Sequence, residues 1–76
     1  MVEVKRHIVA NPQIMLGKPI IKGTRITVEL LLRKLAGGYS TEEILAMYPH
    51  LKVEDVLAAI SYAALVVEKE EVIKAA

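Results

Sequence analysis

The sequence of 76 residues predicts a mainly α-helical domain that begins with a small β-hairpin. The stretch GKPIIKGTRI, Gly17 to Ile26, combines β-branched side chains with proline and turn-forming glycine. After Thr27 the apolar residues recur with the spacing of an amphipathic helix. A capping motif and a proline then divide the remainder into two further helices. Residues 1–26 are therefore predicted to form a hairpin arm, and residues 27–76 the helical part of the same single domain.

The N-terminal arm is predicted to be extended. Residues 2–9 and 19–21 carry apolar, largely β-branched side chains that suit a pleated surface. Gly23 supplies the positive φ of a tight turn, so residues 24–26 are expected to return as the second strand. Thr24 and Arg25, in that return, have two interpretations: the polar face of the hairpin, which is favoured, or part of a ligand site.

The first main helix is predicted to begin after Thr27, a good N-cap. It should end at Gly37-Gly38, with one glycine in the left-handed conformation. Its apolar stripe consists of Val28, Leu31, Leu32 and Leu35. Leu30 lies off that stripe and is expected to contact another surface.

The second helix has the clearest start in the sequence. Ser40 followed by Glu43 makes a capping box. Pro49 should end the helix, because the residue before a proline avoids the α region.

The third helix is predicted to begin near Val53, although Lys52 is a poor N-cap. One apolar stripe is expected to face the core: Val53, Val56, Leu57, Ile60, Ala64 and Val67. A second stripe on another side is expected to contact an oligomer mate or partner: Ala59, Tyr62, Ala63 and Val66. A helix that is apolar over most of its circumference is normally covered on both sides.

The apolar content also predicts a partner. Apolar residues make up 54% of the sequence without its glycines, whereas ~45–50% is usual with glycine counted. A domain of this size buries only roughly 60% of its extended-chain surface. We therefore expect a homo-oligomer, a dimer or higher, or an obligate partner.

The composition narrows the classes of protein. There is no cysteine, hence no disulfide framework and no thiolate metal site. The sequence shows no secretory signal and no apolar run near the ~18 residues of a membrane span. The expectation is a cytoplasmic protein that does not enter a membrane.

Charge is divided unevenly along the chain. Residues 1–38 contain seven Lys and Arg against two Glu, whereas residues 39–76 contain three Lys against seven acids. The front half could therefore face an anion. The alternative interpretation is two solvated faces without a partner. If DNA is the anion, the candidate contacts are Lys5, Arg6, Lys18, Lys22, Arg25 and Lys52.

The second and third helices, with the short turn between them, have helix-turn-helix spacing. Such a motif would present the start of its second helix to the major groove. The residues expected to be exposed there are Lys52, Glu54, Asp55 and Ala58. Because the two acids would repel phosphate, the cations of the front half should supply most of the affinity.

Residues that could carry catalysis or bind a metal are not grouped in any known pattern. His7 and His50 have no companion at metal-ligand spacing, so both are interpreted as surface or packing residues. No nucleophile elbow or paired-carboxylate arrangement is present. We expect neither a catalytic residue, a bound metal nor a cofactor, and hence no enzyme.

Several short elements together resemble one known family. They are Asn11-Pro12, Gly17 to Ile26, Gly38-Tyr39-Ser40, Glu43-Ile44, Tyr48-Pro49, Leu51, Glu54-Asp55-Val56, Ala59 and Tyr62-Ala63. This pattern, across about residues 7–64, is similar to the bacterial and archaeal family called domain of unknown function 433. The resemblance implies a homeodomain-like domain of three to four helices, with a helix-turn-helix preceded by a β-hairpin.

The resemblance also implies a function. It suggests the antitoxin of a type II toxin-antitoxin module, which binds a toxin that looks like a PIN-type ribonuclease and could bind operator DNA. The alternative from the residues themselves is a homo-oligomeric protein-interaction module that does not bind DNA. Lys52 departs from the family, where Thr or Ser is common; it weakens the cap by ~1 kcal/mol and adds a cation near the groove.

Overall fold

The computed structural model describes residues 3–70, which form four helices and a two-stranded antiparallel sheet. The helices are α1 (Val4–His7), α2 (Val28–Ala36), α3 (Thr41–Met47) and α4 (Val53–Lys69). The strands are β1 (Ile8–Ala10) and β2 (Pro19–Ile21), and a single 3-10 turn, Met15–Gly17, lies between them. The mainly helical fold with an N-terminal hairpin is therefore confirmed. The predicted tail beyond residue 70 lies outside the described residues.

The hairpin differs from its prediction in the identity of one strand. β2 pairs with β1, with Ile8 opposite Ile21 and Ala10 opposite Pro19. Gly23 does make the predicted turn, with φ +80°. The chain that follows pairs only through an isolated bridge and one hydrogen bond, from the Ile21 N–H to the Ile26 oxygen (2.9 Å). The prediction of a second strand at residues 24–26 was therefore wrong.

Local hydrogen bonds explain why residues 24–26 do not extend into a strand. The Thr24 hydroxyl donates to the Ile21 oxygen at 2.8 Å and accepts from the Ile26 N–H at 3.0 Å. A threonine that bonds to its own turn competes with the regular ladder. Because the turn satisfies these groups itself, the chain passes directly into α2.

Residues 4–7 form one helical turn, although residues 2–9 were expected to be extended. This turn packs on α4, and Val4 contacts the edge of the core. The side chain of His7 also binds α4. Packing on a long helix outweighs the weak strand preference of so short a segment.

The starts and ends of α2 and α3 follow the prediction. The Thr27 hydroxyl accepts the Leu30 N–H at 3.0 Å, and Gly38 adopts the left-handed conformation after α2, with φ +97°. Ser40 and Glu43 form the reciprocal capping box: Ser40 N–H to the carboxylate at 2.9 Å, and Glu43 N–H to the hydroxyl at 3.1 Å.

The core lies where the hairpin, α2 and α3 meet one side of α4. Its buried residues are Ile8, Ile20, Ile21, Val28, Leu31, Ile44, Leu51, Val56, Ala58 and Ala59. Ala58 was expected to be exposed and Ala59 to contact a partner, yet both are 0% exposed. Small side chains at these positions let the other elements approach α4 closely, so the alanine side became the core side.

The larger apolar residues of α4 consequently stay outside the core. Val53, Leu57 and Ile60, expected to be buried, are each close to 45% exposed, and Val67 is 67% exposed. Within residues 3–70, no helix has the length and apolar character that crossing a membrane requires.

Candidate nucleic-acid interface

A pair of side chains, His7 and Asp55, joins α1 to the start of α4. His7 Nδ1 lies 2.9 Å from Asp55 Oδ1, and both side chains are largely buried, 24% and 14% exposed respectively. The other carboxylate oxygen of Asp55 accepts the backbone N–H of Lys52 at 2.9 Å. Asp55 thus satisfies one of the free N–H groups at the start of α4 and holds α1 against it.

The turn that follows β2 meets the same place. The backbone N–H of Lys22 donates to the His7 oxygen at 2.7 Å. His7 therefore touches two further segments, through its backbone oxygen and through its ring. The end of α1, the turn at residues 22–25 and the start of α4 are all linked through this one residue.

Each of these three segments carries exposed cations. We use the name cationic surface for Arg6, Lys22, Arg25 and Lys52, all of which are exposed. Arg6 forms an ion pair with Glu3 at 3.0 Å, but both side chains are more than two-thirds exposed. Such a pair contributes little, so Arg6 can turn to another anion at small cost.

Two of the predicted cations lie elsewhere. Lys18, at the other end of β2, binds Glu29 Oε1 at 3.0 Å. Arg33 binds the second oxygen of the same carboxylate at 3.1 Å. These hydrogen bonds, from Lys18 first and then Arg33, lower the pKa of Glu29. Lys5 faces a groove between α1 and the C-terminal half of α4.

The two acids at the start of α4 were both expected to be exposed, but they differ in exposure. Asp55 is occupied by His7 and the Lys52 N–H, which leaves Glu54 as the exposed acid of that first turn. Leu51, in the connection between α3 and α4, is 6% exposed and anchors the connection in the core. The start of α4 is thus held firmly beside the cationic surface.

Of the five residues predicted to contact a partner, one is buried, three are half-buried and one is exposed. Ala59 is fully buried. Leu30, Tyr62 and Ala63 are half-buried, and Tyr62 packs against the core. Val66 alone of the five is exposed, at 41%.

α4 carries an exposed apolar surface that was not predicted from the sequence, and we call it the apolar band. It consists of Val53, Leu57, Ile60, Ala64 and Val67, all of them exposed. These residues follow one another at steps of four and three, the spacing of a coiled-coil seam. That spacing was visible in the sequence, but it does not reveal which side of an apolar helix faces the core.

The arrangement as a whole suits electrostatic binding of phosphates. In residues 3–70, no three His, Asp or Glu side chains come together as a metal site would require. His50, in the connection between α3 and α4, is exposed.

Comparison with known proteins identifies the family. The sequence profile of the family described as a protein of unknown function, DUF433, matches residues 8–63. An uncharacterized protein of Sinorhizobium fredii, y4eO, is 34% identical over 56 residues, which are 74% of this chain but 25% of that protein. A DUF433 member from Anabaena variabilis, known from a crystal structure, is 33% identical with a TM-score of 0.79. The alignment covers 87% of this chain and 65% of that one. The chain therefore belongs to the DUF433 family.

Proposed function

We propose that this protein is an antitoxin that binds operator DNA through its helix-turn-helix and also binds a PIN-like ribonuclease toxin. The toxin half of the proposal comes from the role that the resemblance to the domain of unknown function 433 family implies. The DNA half is supported by one observation: hydrogen bonds join three segments that are distant in sequence at the start of α4, and these segments carry the exposed cations Arg6, Lys22, Arg25 and Lys52.

That position matters because affinity for DNA depends mainly on cations that contact phosphates. In a helix-turn-helix the start of the second helix enters the major groove while flanking segments contact the backbone. Here α4 is that second helix. Lys52 precedes its first turn, and the turn that carries Lys22 and Arg25 flanks it.

The dependence of DNA affinity on salt concentration tests which cations contact the phosphates. The test measures binding of the protein to DNA from upstream of its own gene, by gel shift or fluorescence anisotropy, at several salt concentrations. Lys22→Ala and Arg25→Ala should each weaken binding and lower the salt slope by about 1 per copy bound. Lys18→Ala is the matched control, because Lys18 is bound to Glu29 away from the cationic surface.

The proposal for DNA fails if the double variant of Lys22 and Arg25 binds upstream DNA as tightly as the wild type. It also fails if Lys18→Ala weakens binding as much as they do, since the effect would then follow net charge. The toxin half has its own test: co-expression with the product of the neighbouring gene. If the two proteins do not co-purify, neutralisation by tight binding is refuted.

The second candidate is a homo-oligomeric interaction module that does not bind DNA. The apolar residues of the band, considered without the charges beside them, favour it, because an exposed seam at coiled-coil spacing is an element that helices use to associate. Sedimentation equilibrium at micromolar concentration would measure this. A dimer that Leu57→Asp dissociates, together with no affinity for upstream DNA, would establish this candidate over the first.

A further inference from the structure

A groove runs between α1 and the C-terminal half of α4. Its volume is about 500 Å³. The α4 side is formed by Ser61, Ala64, Leu65 and Glu68, and the α1 side by Glu3, Val4 and Lys5. The α4 residues recur at i, i+3, i+4 and i+7, so they make one continuous face along the helix axis.

This groove opens directly onto the apolar band. Ala64 belongs to both, and Val67 is separated from Glu68 by a single step along the helix. Band and groove together make a docking face that extends over four turns of α4, a length of roughly 21 Å at ~1.5 Å per residue. The small side chains of Ser61 and Ala64 leave room for another helix to approach.

The charged side chains that border the band lie along only one of its two edges. Glu54 and Glu68 are two heptads apart and Ser61 lies midway, so all three lie along the same edge. Both glutamates are exposed. The opposite edge is formed by Val56, which is buried, and Ala63, which is half-buried. Residues 53–69 therefore present a partner with an apolar seam and one acidic border.

This pattern argues against a second copy as the occupant. In an antiparallel pair centred on the band, Glu54 of one copy would face Glu68 of the other, and like charges at such positions suppress pairing. In a parallel pair, the acidic border would face Val56 and Ala63, which are apolar and offer no cation. A helix with basic flanking residues has neither problem.

We infer that the docking face binds an amphipathic helix of a different protein, with its apolar side on the band and its Lys or Arg side chains over Glu54 and Glu68. Lys5 lies across the groove from Glu68, and Glu3 on the same wall adds a further carboxylate to this side of the docking face. This inference does not depend on binding to DNA, because the docking face and the cationic surface involve different residues.

Two designed peptides of about 18 residues provide the test. Both have Leu at the a and d positions of a heptad; one has Lys at e and g, the other Glu. Binding of fluorescently labelled peptide is measured by anisotropy. The Lys peptide should bind at least tenfold more tightly than the Glu peptide. Charge reversal in the protein, Glu54→Lys with Glu68→Lys, should invert that preference.

Apolar contact is tested separately. Leu57→Asp should abolish binding of the Lys peptide, whereas Leu16→Asp should not, because Leu16 is 94% exposed and lies off the docking face. Circular dichroism checks that each variant is folded; if Leu57→Asp is not, the charge-reversal variant decides. Equal affinity for both peptides overturns the inference. So does a dimer of the protein alone that Leu57→Asp dissociates, since a second copy would then occupy the face.

Discussion

Asp55 is the residue whose removal tests the arrangement of the cationic surface most directly. Its carboxylate makes two hydrogen bonds at once, to the His7 ring and to the backbone N–H of Lys52, each at 2.9 Å. The change Asp55→Ala removes both bonds. It also leaves the His7 ring nitrogen, which is largely buried, without its partner.

The magnitude follows from these two bonds. Loss of a side-chain cap costs ~1 kcal/mol, and a partly buried side-chain hydrogen bond contributes ~1 kcal/mol. Asp55→Ala should therefore lower the free energy of unfolding by about 2 kcal/mol, a large share of the ~4–11 kcal/mol expected for this length. For a domain of this size, Tm should fall by ~8–16 °C.

Thermal and urea unfolding, followed by circular dichroism, measure the effect. Glu54→Ala is the matched control: Glu54 is the neighbouring acid in the same helical turn, but it is exposed, and its loss should stay within ~0.5 kcal/mol. His7→Ala alone should cost about half as much as Asp55→Ala. The double variant should show a coupling of ~1 kcal/mol between the two residues.

Two results would refute this reasoning. If Asp55→Ala is no more destabilising than Glu54→Ala, the carboxylate does not make both bonds in solution. If the effects of His7→Ala and Asp55→Ala simply add, the two side chains do not interact, and α1 is not held at the start of α4 as described.

Three further predictions concern other parts of the fold. The backbone N–H and the hydroxyl of Ser40 lower the pKa of Glu43 below its ordinary value of 4.5. The stability that this cap contributes should be complete above pH 4.5 and should decline as the pH falls through the lowered pKa. In urea titrations at several pH values, Glu43→Gln should reduce this decline, whereas Glu42→Gln should leave it unchanged. Leu16 is 94% exposed and has φ +59°, so Leu16→Gly should raise stability by ~0.5–1 kcal/mol, because relief of ~1–2 kcal/mol of left-handed strain exceeds the entropy that glycine adds to the unfolded chain; Leu16→Ala, which keeps the strain, should change little. Ala59→Leu should destabilise by ~1–3 kcal/mol through overpacking, and Ala46→Leu, at an exposed position of α3, should stay within ~0.5 kcal/mol.

The parts of the fold that the sequence predicted correctly depend on short-range chemistry. Thr27, Ser40 with Glu43, and the glycines after α2 act within a few residues of their own positions, and each makes the contact expected of it. Local hydrogen bonds of this kind can be recognised because the partner lies at a fixed offset along the chain.

The errors have the opposite character. The strand that pairs with residues 19–21 precedes them in the sequence, whereas the prediction placed it after them. Residues 24–26 do not form that strand because the Thr24 hydroxyl hydrogen-bonds within the turn. His7 binds a residue 48 positions away. No periodic pattern in the sequence predicts a contact over such a distance. The hydrogen bond between His7 and Asp55 could therefore be found only in the structure.

The fate of the two sides of α4 shows why apolar character alone could not identify a partner surface. The side of α4 that carries Ala58 and Ala59 faces the core, because small residues let the helices and the hairpin pack closely against it. Once that choice is made, the larger residues Leu57 and Ile60 must lie outside. The apolar band is therefore a consequence of how the core is packed, and the exposed part of each leucine and isoleucine adds no burial energy to the isolated domain. The two proposed binding activities use separate features of this region: exposed cations on the segments that meet at the start of α4, and an apolar seam along α4 whose acidic border, Glu54 and Glu68, would complement a basic helix.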